Sequence, residues 1–287
     1  MPPANSREPG TRFAPQAFRD LGLHQALSPA KTTVVEARVY SDDRGRRVNV
    51  RNMQAIAEHA ARLCQAIEVA LSNDAFVLVL GGDCSLLIGS MLANAHRGSP
   101  ALLFIDGHSD FYLPEQSHTG GAAGMDLALV MGWGPGELTN LAGKGPYVAP
   151  QRVAVLGNRA GLAIGSASLP ALEETGVFYA PLQSLREIGV EQATRHALAK
   201  IRTVDEPYWV HLDVDVIDSA LMPAVDSPQA DGLTWQELET LLEVALDGNA
   251  CGLQVTIYDP TCDPGFIAGK TLVEALVRVL APRISSG

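Results

Sequence analysis

ALLFIDGHSD, residues 101–110, decides the fold. Five apolar residues run without a break, and then the chain turns polar with Asp106, His108 and Asp110 at alternate positions. An apolar run this short reads as a strand buried on both faces, which is the habit of parallel sheets. Extended backbone at the tip would aim its three alternating side chains the same way. Two other stretches repeat the plan: AFVLVLGGDCS at 75–85, and YWVHLDVDVID at 208–218, where Asp213 and Asp215 alternate.

Working outward from these, helical and strand-like patterns take turns. Residues 53–71 place Ile56, Ala60, Leu63, Cys64, Ile67 and Leu71 at helical spacing. A strand is expected at 75–80, a helix at 85–95, a strand at 101–105, and a long loop to 121. Next come a helix at 125–131, short strands at 153–156 and 177–179, a helix at 190–201 and a strand at 208–212. A helix at 235–247, a strand at 252–257 and a closing helix at 269–280 complete the pattern. Earlier in the chain, 13–27 reads as a short amphipathic helix, and TTVVEARVY at 32–40 as a β-branched strand. Residues 1–12, polar and Pro-rich, read as disordered, and 13–287 as a single domain. The alternation predicts an α/β fold, a three-layer α/β/α sandwich around a mainly parallel sheet. Ligands of such sheets bind beyond the carboxyl ends of the strands, where all three polar tips begin.

Composition narrows the function. The 287 residues carry 32 acidic and 21 basic side chains, a formal net charge of −11 without any Lys/Arg-rich block, which argues against a nucleic-acid partner. The four cysteines, Cys64, Cys84, Cys251 and Cys262, form no CxxC pair and suit neither a structural zinc site nor a disulfide framework. No signal peptide is recognisable in MPPANSREPG, and no apolar run is long enough to cross a bilayer. These features predict a reduced, cytoplasmic protein without membrane association.

Four carboxylates converging on one pocket would repel one another severely unless cations lay among them. Carboxylates can bridge two cations, and imidazole adds a further ligand. Two adjacent divalent ions would lower the pKa of a shared water and make it nucleophilic at neutral pH. Taken singly, an Asp-x-Asp is usually a turn or cap. Three such tips, each at a strand end, favour a metal centre.

The three tips together resemble the arginase–agmatinase (ureohydrolase) superfamily, whose motifs read GGDHS, DAHxD and SFDxDxxDP; here they read GGDCS, DGHSD and HLDVDVID. MPAVDSP at 222–228, with the Gly-Leu-Thr that follows, adds to the likeness, which runs from about residue 76 to 280. The resemblance implies an arginase-like fold and a homo-oligomer, commonly a trimer or hexamer. It also implies two manganese ions held by Cys84, Asp106, His108, Asp110, Asp213 and Asp215.

Four departures bear on function. Cys84 stands where the family has His. A nearby dication deprotonates a thiol, so Cys84 is either a ligand, opening the site to zinc, iron or cobalt, or a buried bystander. The Nω-hydroxyarginine hydrolases, a branch of the same superfamily, also use Cys here. The place of the family's proton-shuttling His falls on Ala123, with His118 as either substitute or surface residue. The amino-acid clamp is replaced by Tyr112, Thr119, Gly121 and Ala160. The Glu that pairs with the guanidinium is replaced by Ile257, while Asp259 either faces the site or caps a loop. Asp226 or Ser227 could hydrogen-bond the reacting group, and Asp218 reads as structural.

The expectation is therefore a two-metal hydrolase of a C–N bond in an amidine or guanidine-type small molecule, with Asp110 and His118 catalytic. Tyr112, Thr119, Ser227 and Asp259 would contact substrate. Ordinary L-arginine is disfavoured, since both of its ends have lost their partners. The competing expectations are a non-catalytic subunit supporting an active relative, and a single-metal deacylase of the same fold.

Overall fold

The computed structural model describes residues 10–38, 41, 48–98, 100–159, 169–203 and 205–285. Its strands are β1 (Val77–Leu80), β2 (Ala101–Ile105), β3 (Val153–Leu156), β4 (Phe178–Ala180), β5 (Tyr208–Asp213) and β6 (Ala250–Thr256). Its α-helices are α1 (Ala14–Asp20), α2 (Leu23–Leu27), α3 (Met53–Leu71), α4 (Leu86–His96), α5 (Asp126–Val130), α6 (Gly136–Thr139), α7 (Leu169–Glu174), α8 (Leu182–Ile188), α9 (Val190–Ile201), α10 (Trp235–Leu246) and α11 (Ile267–Ser285).

The six strands form one sheet in the order β1-β6-β5-β2-β3-β4, with every pair parallel. β2, β3 and β5 are buried along their whole length. Two apolar clusters cover the faces. Leu103, Ile105, Val210 and Leu212 pack with residues of α9, α10 and α11. Leu102, Phe104 and Trp209 point the other way and pack with α3, α4 and α5. The period of two in each strand meets the period of 3.6 in each covering helix, and the three-layer α/β/α sandwich follows. Helix ends are set locally. Thr234 and Glu237 exchange side-chain and backbone hydrogen bonds as a capping box and fix the start of α10.

After β2 the chain moves outward through β3 and β4, then returns with β5 on the opposite side of β2. The carboxyl ends of β2 and β5 therefore flank the point where strand order reverses, the place at which open α/β sheets bind ligands. In register, Ile105 faces Leu212 and Asp213 faces Thr256.

Three expectations change. The stretch 32–38 forms no strand: it runs as chain without a ladder, with Val34 65% exposed. Its β-branched residues, Thr32 to Val35, give way to Glu36 and Arg38, and the described stretch joins no ladder; residues 39 and 40 lie outside the described residues. Ordered chain also begins before residue 13. Gly10–Phe13 makes a 3-10 turn with Gly10 and Thr11 buried, because this turn packs on the loop around Asp259 and Thr261. The helix foreseen at 13–27 is split in two at Gly22, which takes a φ of 87°.

Trp209 lies across Gly252 of the neighbouring strand. A Cβ built at Gly252 would stand 2.2 Å from Trp209 Cζ3 and 2.7 Å from the Val77 carbonyl. Gly252→Ala is expected to destabilise the protein by about 1–3 kcal/mol, the usual range for overpacking. A denaturant melt showing no loss would contradict this packing.

Candidate metal centre

Each tip is delivered by a strand that can go no further. β1 ends at Gly81 and Gly82, whose φ of 104° and 66° turn the chain sharply so that Cys84 lies under the start of α4. β2 ends at Ile105; Asp106 Oδ1 then accepts from the His108 amide at 2.6 Å, folding the tip back on itself. Asp110 holds a φ of 42°, a left-handed conformation that Asp tolerates. After β5, Asp213 Oδ1 accepts from the Asp215 amide at 2.8 Å, and that turn swings both carboxylates toward β2.

The result is two sets of ligand atoms that share a residue. One offers Cys84, Asp106, Asp110 and Asp213, with all four ligand atoms within 4.8 Å of one another. The other offers Asp106, His108 and Asp215, with the same spread. Cys84 Sγ donates to Asp213 Oδ2 at 3.0 Å and lies 3.2 Å from Thr256 Oγ1. His108 Nδ1 lies 2.8 Å from Asp215 Oδ2. Cys84 and Asp106 are fully buried, and His108, Asp213 and Asp215 nearly so.

Electrostatics show what such a gathering demands. Burial, then Asp110, Asp213 and Asp215, pushes the Asp106 carboxyl far above its ordinary range. Burial and Asp215 do the same to Asp213. Burial raises Asp110 to about 7, against the opposing pull of His108. The Cys84 thiol is pushed up by burial and by Asp213. Burial disfavours the His108 imidazolium, but Asp215 and Asp110 outweigh it and raise that group. Without cations these groups must keep protons in order to coexist. Asp106 Oδ2 is buried and makes no hydrogen bond. Carboxylates, an imidazole and a thiol with an unpartnered oxygen among them fit a pair of divalent ions.

Two further residues stand beside this centre that the sequence alone did not single out. Asp126, at the start of α5, is fully buried, and neither carboxylate oxygen finds a hydrogen-bond partner. Burial, then Asp110, raises its pKa well above normal. His211, on β5 two residues before Asp213, is also fully buried, and burial lowers it to about 3, so its ring is neutral. Both stand as ionisable residues inside otherwise apolar runs, a signal the sequence did contain. Arg159 braces the site from below, with Nη2 donating to the carbonyls of Asp215 at 2.7 Å and Ile217 at 3.1 Å. Its guanidinium fills the space beside Gly107, where a Cβ would come within 2.0 Å of Nη1.

The centre opens onto a cleft whose nearby wall includes Tyr112, His118, Thr119, Ser227, Ile257 and Asp259. His118 and Thr119 are exposed on the rim, while Tyr112 and Ser227 are half-buried. The Asp259 carboxylate is committed to its own turn: Oδ1 accepts from the Thr261 amide at 2.8 Å and from its hydroxyl at 2.5 Å. The capping alternative thus describes Asp259, and the turn geometry holds it away from the role of a free substrate carboxylate. Ile257 takes a φ of 72°, rare for a β-branched residue, and is buried against the cleft. Asp218 caps its loop, accepting from the amides of Ala220 and Gly232. Ala123 lines the cleft without a titratable group, and Ala160 lies outside the described residues.

The family model "Arginase family" matches residues 2–280. This chain belongs to the arginase family. An arginase of Bacillus subtilis is 26% identical over 280 residues, covering 96% of this chain and 93% of the relative. The solved arginase of the same organism superposes with a TM-score of 0.84 at 25% identity, covering 94% and 92% of the two chains. The formimidoylglutamase of Bacillus subtilis shares the fold with a TM-score of 0.73 at 18% identity, covering 99% and 84%. Arginase-family membership makes the chain a hydrolase by kinship, with a centre of the kind that holds metal in this family. Among the described residues no helix is long and apolar enough to cross a membrane. Among the described residues no disulfide joins the four cysteines.

The buried acids set a pH dependence. The unfolded chain ionises its Asp residues near pH 4, whereas the metal-free fold holds the Asp106, Asp110, Asp126 and Asp213 protons to higher pH. Groups with raised folded pKa values contribute stability below about pH 4, and that stability is lost as pH rises through the folded values, about 7 for Asp110. Cations bind the deprotonated forms, so the gain in melting temperature from added Mn2+ over EDTA is expected to grow from pH 5 to pH 8. A gain that shrinks over that range would contradict this account of the cluster.

Proposed function

We propose that this protein is a two-metal hydrolase that cleaves a C–N bond in an amidine or guanidine-type small molecule other than L-arginine. The observation that supports it most directly is the pair of ligand sets sharing Asp106 at the strand-order switch point. One ion would be held by Cys84, Asp106, Asp110 and Asp213, the other by Asp106, His108 and Asp215. Manganese is the proposed metal, with zinc, iron or cobalt as competitors because Cys84 is a softer donor than imidazole. Two such ions, when bound, supply a nucleophile at neutral pH and polarise the trigonal carbon of the substrate.

The chain's own residues do the rest. Asp110, itself one of the ligand set, lines the cleft and would hold a proton and pass it to the departing nitrogen. His118 on the rim could relay that proton to solvent. Tyr112, Thr119 and Ser227 offer hydroxyls to a small polar substrate. The assembly is a homo-oligomer on this reading, a trimer or hexamer, in a reduced cytoplasm. Two ligand sets favour this reading over the single-metal deacylase, and the intact ligand sets favour it over a non-catalytic subunit.

Substrate choice follows from the cleft wall. Where arginine recognition needs a carboxylate for the guanidinium, the wall carries Ile257, and Asp259 is engaged in its turn. A buried cation without its partner loses several kcal/mol of binding, roughly 2–5 on typical interfaces. Urea release from L-arginine is therefore expected to be at least about a hundredfold slower than release from the best substrate found among formimino, amidino and guanidino compounds. Efficient arginine turnover would show that Ile257 does not exclude it.

Cys84 has its own test. Cys84→Ala is expected to keep one ion and weaken the other, whereas Cys84→His should keep both and shift preference toward manganese. Metal analysis after dialysis reads both outcomes. If the alanine variant holds two ions as tightly as the parent, the thiolate is not a ligand.

A further inference from the structure

Two motif positions of this chain depart together. Cys84 stands where GGDHS has His, and His211 stands where SFDxDxxDP has Ser. The fold brings them side by side: Cys84 Sγ, a carboxylate oxygen of Asp106 and a ring nitrogen of His211 all lie within 4.8 Å of one another. We propose that His211 supplies, through Nε2, a nitrogen ligand to the ion held by Cys84, Asp106, Asp110 and Asp213, giving that ion the imidazole it would otherwise lack. This rests on the two-metal reading above and adds a ligand to it.

The ring is held for such a role. His211 faces Phe104 on one neighbouring strand and Gln254 on the other. It stacks on Phe104 with centroids 4.6 Å apart and planes 14° from parallel. Nδ1 lies 3.1 Å from the Gln254 side-chain amide. Nε2, at the far end of the ring, is fully buried and makes no hydrogen bond. Buried polar atoms are nearly always partnered, so this one calls for a partner.

The surrounding hydrogen bonds select the tautomer. Ser90 Oγ lies 2.6 Å from the Gln254 side-chain oxygen and 3.3 Å from the Leu86 carbonyl, two acceptors for one hydroxyl proton. Oxygen and nitrogen of a Gln amide are exchangeable assignments. Exchanging them resolves the conflict. His211 Nδ1–H then donates to the Gln254 oxygen, the Gln254 NH2 donates to Ser90 Oγ, and Ser90 Oγ–H donates to the Leu86 carbonyl. In that arrangement Nε2 carries no proton and keeps its lone pair free for a ligand. A histidine whose other nitrogen donates to a carbonyl is the usual arrangement of a metal ligand.

The test uses the full chain reconstituted with Co2+, with binding followed by titration and the donor set by X-ray absorption at the cobalt edge. The parent is expected to hold two ions and to show imidazole scattering from both His108 and His211. His211→Ser is expected to weaken one ion by more than about a hundredfold, beyond the 10–100-fold typical of a residue that merely orients a ligand. It should also lose imidazole scattering while the remaining ion stays bound. The double variant Cys84→His/His211→Ser is expected to recover the second ion, and circular dichroism of each variant in EDTA checks that it folds. His211→Ser with two ions at parental affinity, or with weakened binding but unchanged imidazole scattering, would overturn the assignment and leave the two-metal centre standing. A parent that binds no Co2+ or Mn2+ would overturn both.

Discussion

Five aspartates crowd the carboxyl ends of β2 and β5: Asp106, Asp110, Asp126, Asp213 and Asp215. Charges of one sign at such spacing in a buried site repel strongly, and the local fold is organised around that repulsion. The backbone amides of His108 and Asp215 point at Asp106 and Asp213, Arg159 ties down the turn that carries Asp215, and His108 pairs with Asp215. These devices relieve the crowding only in part, since Asp106, Asp110, Asp126 and Asp213 still hold their protons above the ordinary range. The remainder is a demand for positive charge, and the geometry presents it at two adjacent points.

Topology sets where that demand arises. Because β5 inserts beside β2 only after the chain has left for β3 and β4, two tips far apart in sequence end side by side, with the GGDCS turn above them. The thiol at 84 gives one of the two points a different donor chemistry. It is shorter than imidazole and sits wholly inside the protein, so the groups packed around it, Thr256, His211 and Asp126, become part of the same problem.

Much of this was legible in the sequence. β2 and β3 begin and end where the apolar runs do, since strands buried on both faces leave a continuous signature. The six tip residues were legible for the same reason: polarity begins where the strand stops. The stretch 32–38 misled because β-branched residues report a preference for extended chain, and only a sheet edge can turn that preference into a strand. Asp259 stayed open between two readings because strand alternation does not survive the turn that its own carboxylate caps. Asp126 and His211 were missed for the opposite reason. Each lies within an apolar segment, where the eye follows the hydrophobic period and passes over the single ionisable side chain that interrupts it.

Gly107 and Arg159 form one steric unit. The family motif carries Ala at the position of Gly107, and in this chain its methyl would collide with the guanidinium that supports Asp215. An alanine at 107 therefore requires the Arg159 guanidinium to move. Whoever grafts arginase-like residues into this scaffold has to treat 107 and 159 together, because a methyl at 107 acts on the turn of Asp215 through the guanidinium that holds it.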